Sequence, residues 1–128
     1  METGIISFKS RIDLRFNVLV VYKESPLYGI VKDLLGELDD SIGALMPGKG
    51  MIVIDGERVQ EEGLTDHHLL AIEAHEVAHD LLGHEGERNQ THEGEADELA
   101  IRILDSLSRK EAASLLRERV KSLGKETI

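Results

Sequence analysis

The chain has no cysteine, no tryptophan, and only two tyrosines and two phenylalanines. Without thiols it can form no disulfide, no thiolate metal site and no cysteine nucleophile, although this leaves the compartment open. With aromatics at 3%, any core must be built from aliphatic side chains. Side-chain amides are scarce too, being confined to Asn17, Asn89, Gln60 and Gln90. Set beside abundant Glu, Lys and Arg, that scarcity leans toward a thermophile. Basic charge is outweighed, giving a net charge of −10, which argues against a nucleic-acid-binding surface. Long hydrophobic runs are missing as well. The longest, Val18–Tyr22, falls far short of the ~20 residues of a membrane-spanning helix. The opening METGIISFKSR lacks the basic, apolar, then small order of a signal peptide. These absences predict a soluble cytoplasmic protein, and 128 residues suit one domain over 1–128 with a modest core.

What is present reads as α+β. Residues 1–10 carry no clear pattern and suit a frayed or docked arm. From Arg11 to Tyr22 apolar residues alternate (Ile12, Leu14, Phe16, Val18, Val20, Tyr22), which predicts a strand with one buried face. Ser25-Pro26 reads as an N-cap and first helical residue. Leu27, Ile30, Val31, Leu34, Leu35 and Leu38 then follow at helical spacing, predicting a helix over Pro26–Leu38. Two short strands, Ser41–Met46 and Gly50–Asp55, flank a Pro47-Gly48-Lys49-Gly50 turn. Gly56–Gly63 reads as a polar loop. A helix capped by Thr65 or Asp66 follows, apolar on most sides and therefore buried. Thr91 suits the N-cap of a helix reaching about Leu107, and Arg109–Leu123 a last helix stopped by Gly124.

The chemistry concentrates in the central helix, in His75-Glu76-Val77-Ala78-His79, an HExxH motif. Residues four apart share a helix face, so two imidazoles can grip one ion. The Glu after the first His is then placed to work on a water at that ion. Two histidines and a carboxylate on a buried helix would be costly without such a partner.

A catalytic zinc site takes three protein ligands and keeps an open position. Candidates for the third lie in His92–Ala100. Helical phase puts Glu93, Ala96, Asp97, Ala100 and Leu104 on one small, mostly apolar face. Glu95, Glu98, Arg102, Asp105 and Arg109 fall on a charged face that reads as solvated. Glu93 is therefore the preferred ligand. Asp97, one turn on, is placed to accept a hydrogen bond from the second nitrogen of a ligand His. Glu95 and His84 are the rivals. Gly83 and His84 are each one position away from the metzincin pattern HExxHxxGxxH. A three-histidine nuclease pattern would need His where Glu85 stands. His67, His68 and His92 read as ordinary polar residues.

HEVAHDLLGH followed by EGEADELA resembles the gluzincin metallopeptidases. The nearest likeness is to the membrane-embedded family of HtpX-type and CAAX prenyl-protein proteases, and to their small soluble counterparts, the minigluzincins. Regulatory peptidases of the ImmA/IrrE type look similar over the same stretch. The resemblance covers about a quarter of the chain. It implies a minimal zincin-like fold, with a small, mostly antiparallel sheet packed on an HExxH helix, a glutamate helix and a C-terminal helix. It implies one catalytic zinc ion on His75, His79 and Glu93, with Glu76 as general base and Asp97 in support. It also implies an extended peptide or protein substrate added beside the Met51–Ile54 strand, with His68, Tyr22 or Tyr28 as candidate oxyanion donors.

The expected activity is zinc-dependent endopeptidase hydrolysis. The apolar stripe of the last helix (Ala112, Leu115, Leu116, Val120, Leu123) reads first as core. A homodimer face, or a terminal segment that keeps the enzyme latent in a self-inhibiting form, are the open alternatives. The competing expectation is a non-catalytic zinc-binding regulatory or interaction protein on a peptidase scaffold. A zinc-dependent ribonuclease would require His84 on the metal, and the acidic charge speaks against RNA.

Overall fold

A computed structural model of the chain describes residues 4–37, 42–46, 49–84 and 90–126. It is α+β, with four strands and five helices in the order β1(Ile5–Lys9), β2(Asn17–Val21), α1(Tyr28–Glu37), β3(Gly43–Met46), β4(Met51–Asp55), α2(Gly56–Glu61), α3(Asp66–Leu81), α4(Gln90–Ser106) and α5(Lys110–Glu126). The chain forms two compact units, Met1–Thr65 and Asp66–Ile128.

The first unit is built on a mixed sheet of order β1-β2-β4-β3. β1 pairs antiparallel with β2, β3 pairs antiparallel with β4, and β2 runs parallel to β4 in the register Val18↔Ile52 and Val20↔Ile54. The sheet is thus mostly antiparallel, as expected, with a parallel seam at its centre. That seam carries the most apolar sequence: Val18, Val20, Val21, Ile52, Val53 and Ile54 are all buried. A strand buried on both faces loses polar/apolar alternation, which β4 illustrates.

The predicted strand over Arg11–Tyr22 is cut to its second half. Residues 11–16 instead turn the chain from β1 into β2. The Ser10 hydroxyl accepts from the Ile12 amide at 3.1 Å, the Phe16 amide donates to the Asp13 carbonyl at 3.0 Å, and Asp13 holds Arg15 through a two-pronged side-chain pair. Short polar side chains that bond nearby amides favour such turns over a ladder. Leu14, assigned to the buried face, is 74% exposed at the tip. The arm at residues 1–10 is in part the edge strand β1.

α1 starts at Tyr28, two residues later than Pro26. Ser25 still caps the entry, with its hydroxyl accepting from the Leu27 amide at 3.1 Å. Of the expected stripe, Leu35 is buried, whereas Leu27 and Ile30 are exposed; Leu38 lies outside the described residues. The β3–β4 pair matches the expected hairpin, with Ser41, Pro47 and Gly48 outside the described residues.

Gly56–Glu61 is a helix, not a loop. Asp55 ends β4 and caps α2, its Oδ1 accepting from the amides of Glu57 at 3.0 Å and Arg58 at 3.3 Å. The same oxygen accepts from the Tyr28 hydroxyl at 3.0 Å, and burial together with that carboxylate pushes the phenol up to about 12. Gly56 is needed here because a Cβ would stand 2.6 Å from the Tyr22 ring.

The second unit is three helices packed on one another: α3 on α4, α4 on α5, and α3 on α5. Small residues keep them close. Ala74, Ala78, Ala96, Ala100, Ala112 and Ala113 are fully buried with Leu104. Ala112 and Leu116 thus belong to packed surface of α5, as the first reading of its stripe has it. The side chains of Val120 and Leu123 lie outside the description. Gly124 does not stop α5, which continues to Glu126.

α3 and α4 end in the same way. At α3 the Gly83 amide bonds the Asp80 carbonyl at 3.1 Å and the His84 amide bonds the His79 carbonyl at 2.9 Å, with Gly83 at φ 71°. At α4 the Ser108 amide bonds Asp105 at 3.1 Å and the Arg109 amide bonds Leu104 at 2.8 Å, with Ser108 at φ 60°. Both are Schellman stops, whose left-handed residue is usually glycine.

Replacing Ser108 by Gly should therefore raise stability by ~0.5–1 kcal/mol, read as a higher denaturant midpoint at unchanged m-value. Asp55→Ala should lower it by ~1–2 kcal/mol through the lost α2 cap. Asp55→Asn should recover most of that loss in the same assay.

Candidate metal centre

α3 presents His75 and His79 one turn apart, and α4, packed beside it, presents Glu93 from its first turn. Their polar atoms converge. The two imidazole Nε2 atoms are 3.0 Å apart, His75 Nε2 is 2.8 Å from Glu93 Oε2, and His79 Nε2 is 3.1 Å from Glu93 Oε1. Asp97, fully buried one turn further along α4, accepts from His75 Nδ1 at 2.6 Å. The helical phase that put Glu93, Ala96, Asp97, Ala100 and Leu104 on one face describes α4 as it stands. The opposing residues Glu95, Glu98, Arg102, Asp105 and Arg109 are exposed.

The electrostatics of this cluster call for a cation. Burial of His75 opposes its charged form, but hydrogen bonds to Asp97 and Glu93 and the negative charge of Glu76 outweigh it, lifting the imidazole to about 9. Burial likewise opposes ionisation of Glu93, yet hydrogen bonds from His75 and His79 hold its carboxyl well below the usual carboxylate range. Without a metal, a proton must sit among the converging nitrogens, because two facing imidazole lone pairs and a carboxylate repel one another.

The donor set also fits a metal. Ligand atoms about 2.0–2.1 Å from a tetrahedral zinc stand roughly 3.3 Å apart, against the 2.8–3.1 Å separations here. Two imidazoles and a carboxylate form the usual ligand set of hydrolytic zinc. The Nδ1 of His75 is already held by a carboxylate, which fixes the tautomer that leaves Nε2 free to ligate. His75, His79 and Glu93 can therefore hold a metal ion.

Glu76 lies next to His75 on α3 and is 2% exposed. His75 and His79 are 5% and 4% exposed, whereas the Glu93 side chain keeps 21% of its surface exposed. Of the proposed oxyanion donors, Tyr28 has its hydroxyl committed to Asp55, and His68 is partly exposed at the start of α3.

The rivals Glu95 and His84 stand one layer further out. His84 Nδ1 is 3.0 Å from His79 Nδ1, and His84 Nε2 is 3.3 Å from Glu95 Oε1. The His92 ring stacks on His84 at 4.0 Å with planes 12° apart. His84, His92 and Glu95 thus form a second group with ligand-type atoms close together. From sequence alone His92 reads as an ordinary polar residue, Glu95 as a rival ligand on a face that is otherwise solvated, and His84 as a turn residue or a support behind a ligand more than a ligand. The only available signal was that His84, His92 and Glu95 lie close together just after the motif.

Comparison of the chain with protein-family models, curated proteins and solved structures finds no match.

The geometry predicts one tightly held divalent metal ion per chain, measured by elemental analysis after reconstitution and gel filtration. His79→Ala and Glu93→Ala should each lose it. Asp97→Asn should keep the fold and weaken metal affinity ~10–100-fold in a chelator competition.

Proposed function

We propose that the chain is a zinc-dependent endopeptidase on a minimal zincin-like fold, akin to the gluzincins. The observation that carries this reading is the convergence of His75, His79 and Glu93 from two adjacent helices, with Asp97 braced behind His75. When bound, zinc supplies Lewis acidity toward a water and a peptide carbonyl. The chain's own residues do the rest. Glu76 takes the proton of the attacking water and delivers it to the leaving amine, as a general base and then a general acid. Asp97 holds His75 in its ligating tautomer.

The burial of Glu76 and both histidines supports a latent form, because a scissile peptide needs access to that carboxylate. α5 packs on both α3 and α4, and in the latent reading it is the segment proposed to move. The same burial favours one second reading, a non-catalytic zinc-binding regulatory or interaction protein. Glu76 discriminates between them, since a structural zinc site has no use for a base beside its first ligand. Neither reading involves nucleic acid. Among the described residues no helix is long and apolar enough to cross a membrane.

Zinc-loaded protein, before and after limited proteolysis of its termini, is expected to cleave a fluorogenic peptide library. Glu76→Gln should lower that rate ~10²–10⁴-fold while retaining zinc. Zinc retention with no cleavage of any peptide, trimmed or untrimmed, supports the regulatory reading. Failure to retain zinc removes both.

A further inference from the structure

His84, His92 and Glu95 invite reading as a second metal site, but their rings argue otherwise. A metal ligated by an imidazole lies in the ring plane. The His84 and His92 planes are 12° from parallel at a centroid separation of 4.0 Å, so no nearby point lies in both. A different role follows from the hydrogen bonds. His79 Nε2 faces the metal position, so its proton resides on Nδ1. That nitrogen meets His84 Nδ1 at 3.0 Å, and one proton serves the pair, so His84 accepts there. A neutral His84 then carries its own proton on Nε2, which faces Glu95 Oε1 at 3.3 Å.

We propose that His84 is a positioning residue for the metal centre, linking the ligand His79 to the Glu95 carboxylate through its own imidazole and so fixing the tautomer and ring orientation of His79. The inference rests on the metal-centre reading and deepens it. The two ligand histidines are braced unequally. His75 bonds a fully buried carboxylate directly, whereas His79 reaches a half-exposed one through a bridging ring. The brace is built by the stop of α3. Gly83, at φ 71°, turns the chain so that the His84 amide bonds the His79 carbonyl at 2.9 Å, which brings the two rings together. Stacking on His92 holds the His84 plane. A glycine after the motif and a histidine after that glycine thus act as one unit.

The test is zinc affinity by chelator competition in the full-length chain, with the thermal midpoint of each metal-free variant as the folding control. His84→Leu should weaken zinc binding ~10–100-fold, the range for loss of a partner behind a ligand, with the metal-free midpoint little changed. His84→Asn, whose side-chain oxygen can replace Nδ1 as acceptor, should restore most of the affinity. Glu95→Gln should show a smaller loss. In the zinc-loaded wild type, ¹⁵N spectra of the imidazoles should show His79 protonated at Nδ1 and His84 at Nε2, a readout that needs no variant to fold. Wild-type zinc affinity in His84→Leu overturns the inference and leaves the metal centre standing. So does a His84 protonated at Nδ1, or two zinc ions per chain with the second lost in His84→Leu. A wild type that retains no zinc overturns both the inference and the reading beneath it.

Discussion

Two imidazole nitrogens and a carboxylate brought within about 3 Å of one another repel unless something positive lies among them. The rest of the second unit is arranged around that constraint. A proton can meet it, which is why His75 is held in its charged form to an unusually high pH. A divalent cation meets it better, since it accepts all three lone pairs at once. Small residues make the convergence affordable. With Ala74 and Ala78 on α3, and Ala96 and Ala100 on α4, all fully buried, the helices approach closely enough for short side chains to meet.

Behind the three converging groups the polar atoms are ordered in a second layer. Buried polar groups demand partners, because leaving one without a hydrogen bond costs about as much as several good contacts return. Asp97 serves His75 from within the helix pair, and His84 serves His79 from the end of α3. The two supports differ in origin. One is a side chain at a helical phase, and the other is a by-product of how a helix terminates. The Schellman stop at Gly83 is an ordinary backbone device, yet here it determines which ring sits beside a candidate ligand.

The second unit was the more legible half. α3 announces itself by its motif and its apolar surface, and α4 by a phase that separates Glu93 and Asp97 from Glu95 and Glu98. Helical periodicity is a local property, so inward and outward faces can be read without knowing the neighbour. The first unit was harder. Alternation over Ile12, Leu14 and Phe16 imitates a strand, but the Ser10 and Asp13 side chains take the backbone bonds a ladder would need. β1 went unseen because an edge strand over Ile5–Lys9 needs little pattern beyond a partner to pair with. α2 was concealed by two glycines and a polar composition. Its start depends on Asp55 being a helix cap as well as the last residue of a strand.

What the sequence determined by itself was the chemistry on offer: an HExxH helix, a nearby helix with a carboxylate at the right phase, no thiols, and an aliphatic core. Each of these follows from residue type and spacing along one element. Tertiary structure alone decided how closely Glu93 meets the two imidazoles, that Glu76 and both histidines are buried, and that Glu95 stands behind His84. Those outcomes depend on how closely two helices approach and where a third residue emerges from a turn. Distances between elements are set by packing, which no periodicity records.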